Sequence, residues 1–176
     1  MKIALIAGGH LPIPPSGWGG VEHLIWNFSQ QFEKIGDEVK IINTTNQKQI
    51  VNEINQGDFD AVHLHYDQYA NLMPYLNCEK QMITSHYPYL ENPEPQYIFL
   101  YKLLKDSGSH IICLSDRIEK EFVNRGCDST NVSILPCGID IDLYSIDEDD
   151  VLYPERSVVV GKIEPRKRQA FLQHKG

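Results

Sequence analysis

The feature that most constrains this chain is an alternation that runs along it. Short apolar runs stop at glycine or polar residues, and most are followed by stretches whose apolar side chains recur at helical spacing. Lys2 to Ala7 (KIALIA) is a continuous apolar run that stops at Gly8-Gly9, the pattern of a strand buried on both faces of a parallel sheet. After a loop rich in Pro and Gly from His10 to Gly20, Val21, Leu24, Ile25, Phe28, Phe32 and Ile35 mark one helix face, and Gly36 stands just past the last turn. The series continues with a strand at Glu38 to Ile42, a weak helix around Gln49 to Gln56, and strands at Ala61 to Leu64 and Gln81 to Thr84. Then come a helix near Gln96 to Lys105, a strand at His110 to Leu114, a helix at Asp116 to Arg125 and a strand at Val132 to Leu135. Asp116 and Glu119 have the spacing of a capping box. This alternation predicts an α/β fold, a doubly wound parallel sheet of about six or seven strands with right-handed crossovers and helices on both faces.

The predicted sheet domain covers residues 1–145. A linker over 146–156 follows, marked by the acidic run Asp147-Glu148-Asp149-Asp150 and closed by Pro154. Ser157 to Gly161 (SVVVG) then reads as a new buried strand, so that 157–176 is the start of a second, truncated domain. So short a segment is below the roughly 50 residues that a domain of its own needs. A net charge of -8 has the wrong sign for gripping a nucleic-acid backbone. Cys78, Cys113, Cys127 and Cys137 show neither CxxC pairs nor zinc-finger spacing. With no signal-peptide core and no apolar stretch of spanning length, the expected location is cytoplasmic; peripheral contact with a membrane and self-association stay open.

In an open α/β sheet, ligands collect beyond the carboxyl ends of the strands. Four places there carry chemistry. Gly19-Gly20 opens the first helix, where glycines let backbone N–H groups approach an anion; the same pair suits a plain turn. His63-Leu64-His65 follows the third strand and Thr84-Ser85-His86-Tyr87 the fourth, and alternation places His63 and His65 on one side. An imidazole there can donate to a sugar hydroxyl, interact with a phosphate near neutral pH, or serve as a packed, hydrogen-bonded core group. Pro136-Cys137-Gly138-Ile139-Asp140 reads as a tight turn that Gly138 allows. No HExxH spacing points to a metal.

Taken in order, six segments resemble the family-4 group of GT-B retaining glycosyltransferases. They are Gly19-Gly20-Val21-Glu22, Phe59 to His65, Thr84-Ser85-His86, Ile112 to Ser115, Ile134 to Asp140 and Val160 to Lys167. The resemblance implies a Rossmann-like amino-terminal domain that acts on the acceptor side and a sugar transferred from a nucleotide-sugar donor to an acceptor hydroxyl with retention. It places Gly19, Gly20 and Gly138 at the donor and His86 beside the transferred sugar as the catalytic residue. Lys162 and Lys167 would bind the diphosphate, a fixed positive charge that makes a metal or other cofactor unnecessary. Trp18, Glu22, His65 and Tyr87 fall in the loops that would meet a sugar or lipid-linked acceptor. The chain departs from the family pattern in having Lys162 for Arg, Arg168 for Gly and Cys137 for Asn. Lysine supplies the charge without the bidentate fork of arginine. The domain that would complete the donor site has no counterpart beyond 157–176, so the fragment by itself is expected to be a poor catalyst. Two further classes use such loops, a non-catalytic sugar- or nucleotide-binding module and a nucleotide-sugar epimerase. An epimerase needs acid/base carboxylates where these loops offer mainly Gly, His and Tyr.

Overall fold

A computed structural model of the protein describes residues 1–86 and 95–139. Tyr87, Asp140, Lys162, Lys167, Arg168 and the segments 146–156 and 157–176 lie outside the described residues. Met1–Gly138 forms one unit; of the second, Ile139–Gly176, only Ile139 is described.

Six strands, β1 (Lys2–Ala7), β2 (Glu38–Asn43), β3 (Ala61–Leu64), β4 (Lys80–Ser85), β5 (His110–Cys113) and β6 (Val132–Ile134), form one sheet in the order β2-β1-β3-β4-β5-β6. Every pairing is parallel. This is the expected α/β, Rossmann-like fold. The central strands follow from their sequences. Ile3 to Ala7 of β1 and all four residues of β3 are buried, as continuous apolar runs require in a sheet covered on both faces. β2, at the edge, alternates instead and closes its solvent side with ion pairs from Glu38 to Lys2 and from Lys40 to Glu53.

The two sheet faces have separate cores. Helix α1 (Gly20–Lys34) lays Ile25, Phe28 and Phe32 on Ile3, Leu5 and Ala7. On the opposite face α2 (Gln47–Gly57), a 3-10 segment (Asp67–Tyr75), α3 (Pro95–Asp106) and α4 (Asp116–Asn124) cover Ala4, Ile6, Val62, Leu64, Ile83 and Ile111. They do so with Ile50, Ile54, Met73, Leu104 and Phe122. Truncating one of the fully buried members, such as Leu104 or Phe122, to alanine removes apolar contacts that cost about 2–5 kcal/mol to lose.

Local details differ from the sequence expectation in two places. The cap of α4 is Ser115, whose hydroxyl accepts from Ile118 N, and not Asp116; Asp116 and Glu119 sit in the first turn, where their charge suits the helix dipole. The 3-10 segment after β3 was not read as an element, because Pro74 and a mixed pattern give it no 3.6-residue period.

The turn after β1 fixes where the loop to α1 goes. Gly9 adopts φ +75, and a Cβ there would run into the backbone of Thr44 and Thr45. The Asn43 side chain clamps the same turn, accepting from Gly9 N at 2.8 Å and donating to the Leu11 carbonyl at 2.8 Å. Gly9→Ala is therefore expected to destabilise the protein by about 2–4 kcal/mol, combining backbone strain with a backbone clash. Gly17→Ala, where a Cβ meets nothing, should stay within about 0.5 kcal/mol of wild type. Urea unfolding of the two variants checks the contrast, and equal effects would contradict it.

Candidate functional site

Strand order reverses beside β1: the chain steps from β1 out to β2, then returns across β1 to β3 and onward. In sheets of this kind the crevice beyond the carboxyl ends at such a reversal is where ligands bind. Three groups of residues stand at that end: the Gly8-Gly9 turn and loop leading to α1, the residues leaving β3, and those leaving β4.

From β3 come two histidines. His63 lies within the strand and His65 just after it, where His65 N continues the ladder to the Ile6 carbonyl at 2.9 Å. Both project to the α1 side, with ring centroids 4.0 Å apart. Phe28 of α1 packs against both, at 6.2 Å from His63 and 5.8 Å from His65. His63 Nε2 is hydrogen-bonded to Thr84 Oγ1 at 2.6 Å, a link from β3 to β4 that the register His63↔Met82 sets up. His65 Nδ1 is hydrogen-bonded to His86 Nε2 at 3.1 Å, with the two rings stacked at 5.4 Å. His65 is 3% exposed, and its Nε2 is buried with no hydrogen-bond partner.

Burial governs the charge of these rings. It pushes His63 down to about 4, with the proximity of His86 adding to the effect, and it pushes His86 down to about 4 as well. His65 is held well below the ordinary histidine range, first by burial and then by His63 and His86. All three are neutral imidazoles at physiological pH and act as hydrogen-bonding groups, not as cations.

At the α1 end of the crevice, Gly19 adopts φ +118 and Gly20 is the first helical residue. Helices α2 and α4 are capped by the side chains of Asn46 and Ser115, whereas α1 has no side-chain cap. Its first N–H groups therefore point outward with the positive end of the helix dipole behind them. Glu22 lies in this first turn with its carboxylate against Gly19, and Trp18 is 70% exposed beside it. His23 reaches back to the Gly17 carbonyl at 3.0 Å and steadies the loop.

Of the residues expected from the sequence, His65 and His86 are brought into direct contact, and Gly19, Gly20, Trp18 and Glu22 lie together at the start of α1. Gly138 is exposed beyond β6, two strand positions from β4, and its backbone is not in the left-handed region. The expectation that glycine is what permits that turn is corrected: any residue could adopt it. Sequence reasoning missed Phe28 as the cover over the histidines, having counted it only as helix core. It also missed Asn43 as the clamp of the first loop and Tyr66 as a hub, its hydroxyl bonded to His10 Nε2 at 3.1 Å and donating to Gln68 at 3.2 Å. No sequence signal gave these contacts: the register Leu64↔Ile83, which sets the exits of β3 and β4 side by side, is a product of the sheet. All four cysteines are free thiols. Among the described residues no helix is long and apolar enough to cross a membrane.

A family model described as Glycosyltransferase Family 4 matches residues 42–143, more than half of the chain. The chain belongs to this family. No curated protein matches its sequence. Among solved structures, Anabaena Alr3699/HepE in complex with UDP-glucose aligns with a TM-score of 0.56 at 14% identity, over 84% of this chain and 47% of its own. The same protein in complex with UDP and glucose gives 0.55 at 14% identity over the same shares. AviGT4, a glycosyltransferase involved in avilamycin A biosynthesis, gives 0.54 at 18% identity, over 79% of this chain and 42% of its own. This family-4 chain thus shares their fold while spanning less than half their length.

Acid stability reports on the buried histidines. A group whose folded pKa lies below its unfolded value takes up protons first in the unfolded chain. Folding stability should accordingly be fully present above the unfolded value of 6.5 and be lost as pH falls toward about 4. For His63 a shift of this size corresponds to about 3 kcal/mol. Unfolding free energies measured across this window should fall with acidification, and His63→Asn should flatten the slope by about one proton. An unchanged slope in that variant would contradict a neutral, buried His63.

Proposed function

We propose that this family-4 chain is the acceptor-side domain of a glycosyltransferase that moves a sugar from a nucleotide donor to an acceptor hydroxyl, with retention and without a required metal or cofactor. The observation that carries the proposal is the neutral His65–His86 pair at the carboxyl end of adjacent strands. It stands on the same sheet edge as an α1 N-terminus left uncapped by any side chain. The donor class is supported by the neighbours of like fold, one of which binds UDP-glucose.

In this reaction the bond between the anomeric carbon and the diphosphate oxygen breaks. A bond to the acceptor oxygen forms on the same face of the sugar, negative charge collects on the departing diphosphate, and the hydroxyl proton passes to the diphosphate oxygen that leaves. Amides at Gly19 and Gly20 with the helix dipole stabilise that charge, a contribution of about 0.3–1 kcal/mol and up to about 2 kcal/mol where the site is partly buried. Lys162 and Lys167 supply the remaining fixed positive charge. His86, being neutral, contributes a directed hydrogen bond to the sugar. Trp18, Glu22 and, on the family resemblance alone, Tyr87 are assigned to a sugar or lipid-linked acceptor, and Glu22 offers a carboxylate that accepts from its hydroxyls. Gly138 is retained as a donor-side position on the family resemblance alone. This chain covers less than half of the solved neighbours of like fold, and we place catalysis in a polypeptide that pairs this domain with a donor-binding one. The proposed location is the cytoplasm, with peripheral membrane contact where the acceptor is lipid-linked.

Replacing His86 by alanine in the catalytic polypeptide should lower kcat of the folded enzyme about a hundredfold, while the unpaired His65 Nδ1 lowers folding stability by about 1–3 kcal/mol without unfolding the protein. Steady-state transfer assays paired with chemical denaturation check this. Wild-type turnover in that variant would remove His86 from the reaction, and a variant that is unfolded under the assay conditions would make its role structural.

A further inference from the structure

The His65–His86 hydrogen bond has two possible directions, and burial distinguishes them. Between two neutral imidazoles one nitrogen donates and the other accepts. If His86 Nε2 carried the proton, His65 Nδ1 would be the acceptor and the proton of His65 would sit on Nε2. That nitrogen is buried and has no partner, so the arrangement would leave an orphaned N–H inside the protein. The Phe28 ring, 5.8 Å away and tilted 48°, offers at best a weak π acceptor. In the other direction His65 Nδ1–H donates to His86 Nε2. Only a bare lone pair is then left buried at His65 Nε2, the less costly omission because unpaired buried N–H groups are the rarer of the two in proteins.

We infer that His65 is a positioning residue that fixes the tautomer of His86, donating from Nδ1 to His86 Nε2 so that His86 carries its own proton on Nδ1 and presents that atom as a hydrogen-bond donor. His86 Nδ1 takes no partner among the described residues, in keeping with a donor directed at a ligand. Three contacts hold His65 in place for this: the ladder bond from His65 N to Ile6, the tilted ring of His63 at 4.0 Å, and Phe28 across from it. His63 is in turn fixed by Thr84 of β4, the strand that leads to His86, so both strands set the geometry. The neutrality of the rings, which burial enforces, keeps a single proton on each. The use made of this donor, a bond to a sugar oxygen, rests on the proposed transferase reading; the tautomer does not.

The tautomer is read directly from long-range proton–nitrogen NMR spectra of the histidine-labelled 176-residue chain at neutral pH without ligand, His86 being assigned by its disappearance in His86→Ala. In wild type, His86 should show a protonated Nδ1 and a bare Nε2, with the preferred form in excess by about ten to one or more. His65→Ala should return His86 to a majority Nε2–H form, the one an unconstrained imidazole favours. His65→Asn, whose amide N–H stands where Nδ1–H was, should restore the wild-type pattern. A wild-type His86 protonated on Nε2 overturns the inference, as does an Nδ1–H form that persists in His65→Ala. The wild-type spectrum decides the matter even where a variant fails to fold. Transfer activity of His86→Ala reports on the sugar contact alone and the ligand-free spectrum on the tautomer alone, so the two failures are distinct.

Discussion

The ring of His65 lies between Phe28 of α1 and His63 of its own strand, with its Nδ1 on His86 of the next strand. This arrangement joins the two halves of the carboxyl edge: α1 is positioned by packing on the histidines, and β4 is tied to β3 by two imidazole hydrogen bonds. Polar groups this deep are costly unless paired, and here nearly every ring nitrogen that burial isolates has a partner. The single exception among the described residues, His65 Nε2, is informative because it restricts where the protons can be. Neutral, oriented imidazoles suit the hydroxyl-bearing ligand proposed for this site; positive charge for a phosphate would come from helix amides and basic side chains.

The fold makes this arrangement through strand order. With β1 between β2 and β3, the loop after β1 must leave toward α1 on one face while the exits of β3 and β4 lie beside it. Gly9, clamped by Asn43 and pressed on Thr44 and Thr45, directs that loop. Gly19, at φ +118, a backbone conformation that other residues rarely adopt, then turns it into the helix with the Glu22 carboxylate against the turn. The glycines serve different ends, since one permits close approach of two loops and the other permits an unusual backbone at a helix start.

Much of the architecture was legible in the sequence because buried parallel strands have a simple signature. KIALIA and AVHL can only be central strands, and the helical spacing from Val21 to Ile35 leaves little choice for α1. Weak periodicity hid the 3-10 segment, and the cap of α4 was misassigned because an acidic pair at the right spacing masked the serine before it. The site was legible only as separate pieces. His65 and His86 are 21 residues apart, and nothing in either segment states that β3 and β4 are neighbours. That fact belongs to the topology, as does the cover that Phe28 provides. Gly138 shows the opposite failure: its residue type suggested a constrained turn that the backbone there does not require.

Membership of glycosyltransferase family 4 and the shared fold are the grounds on which a nucleotide-sugar site at this edge is proposed. The inferred donor at His86 Nδ1 gives that proposed site a specific chemistry. The most direct test is a crystal structure of the catalytic polypeptide with a nucleotide sugar bound. The account requires a hydroxyl oxygen of the transferred sugar within about 3 Å of His86 Nδ1 and the diphosphate over the amides of Gly19 and Gly20. A sugar bound away from the exits of β3 and β4, or a phosphate oxygen seated on His86 in place of the sugar, would contradict it.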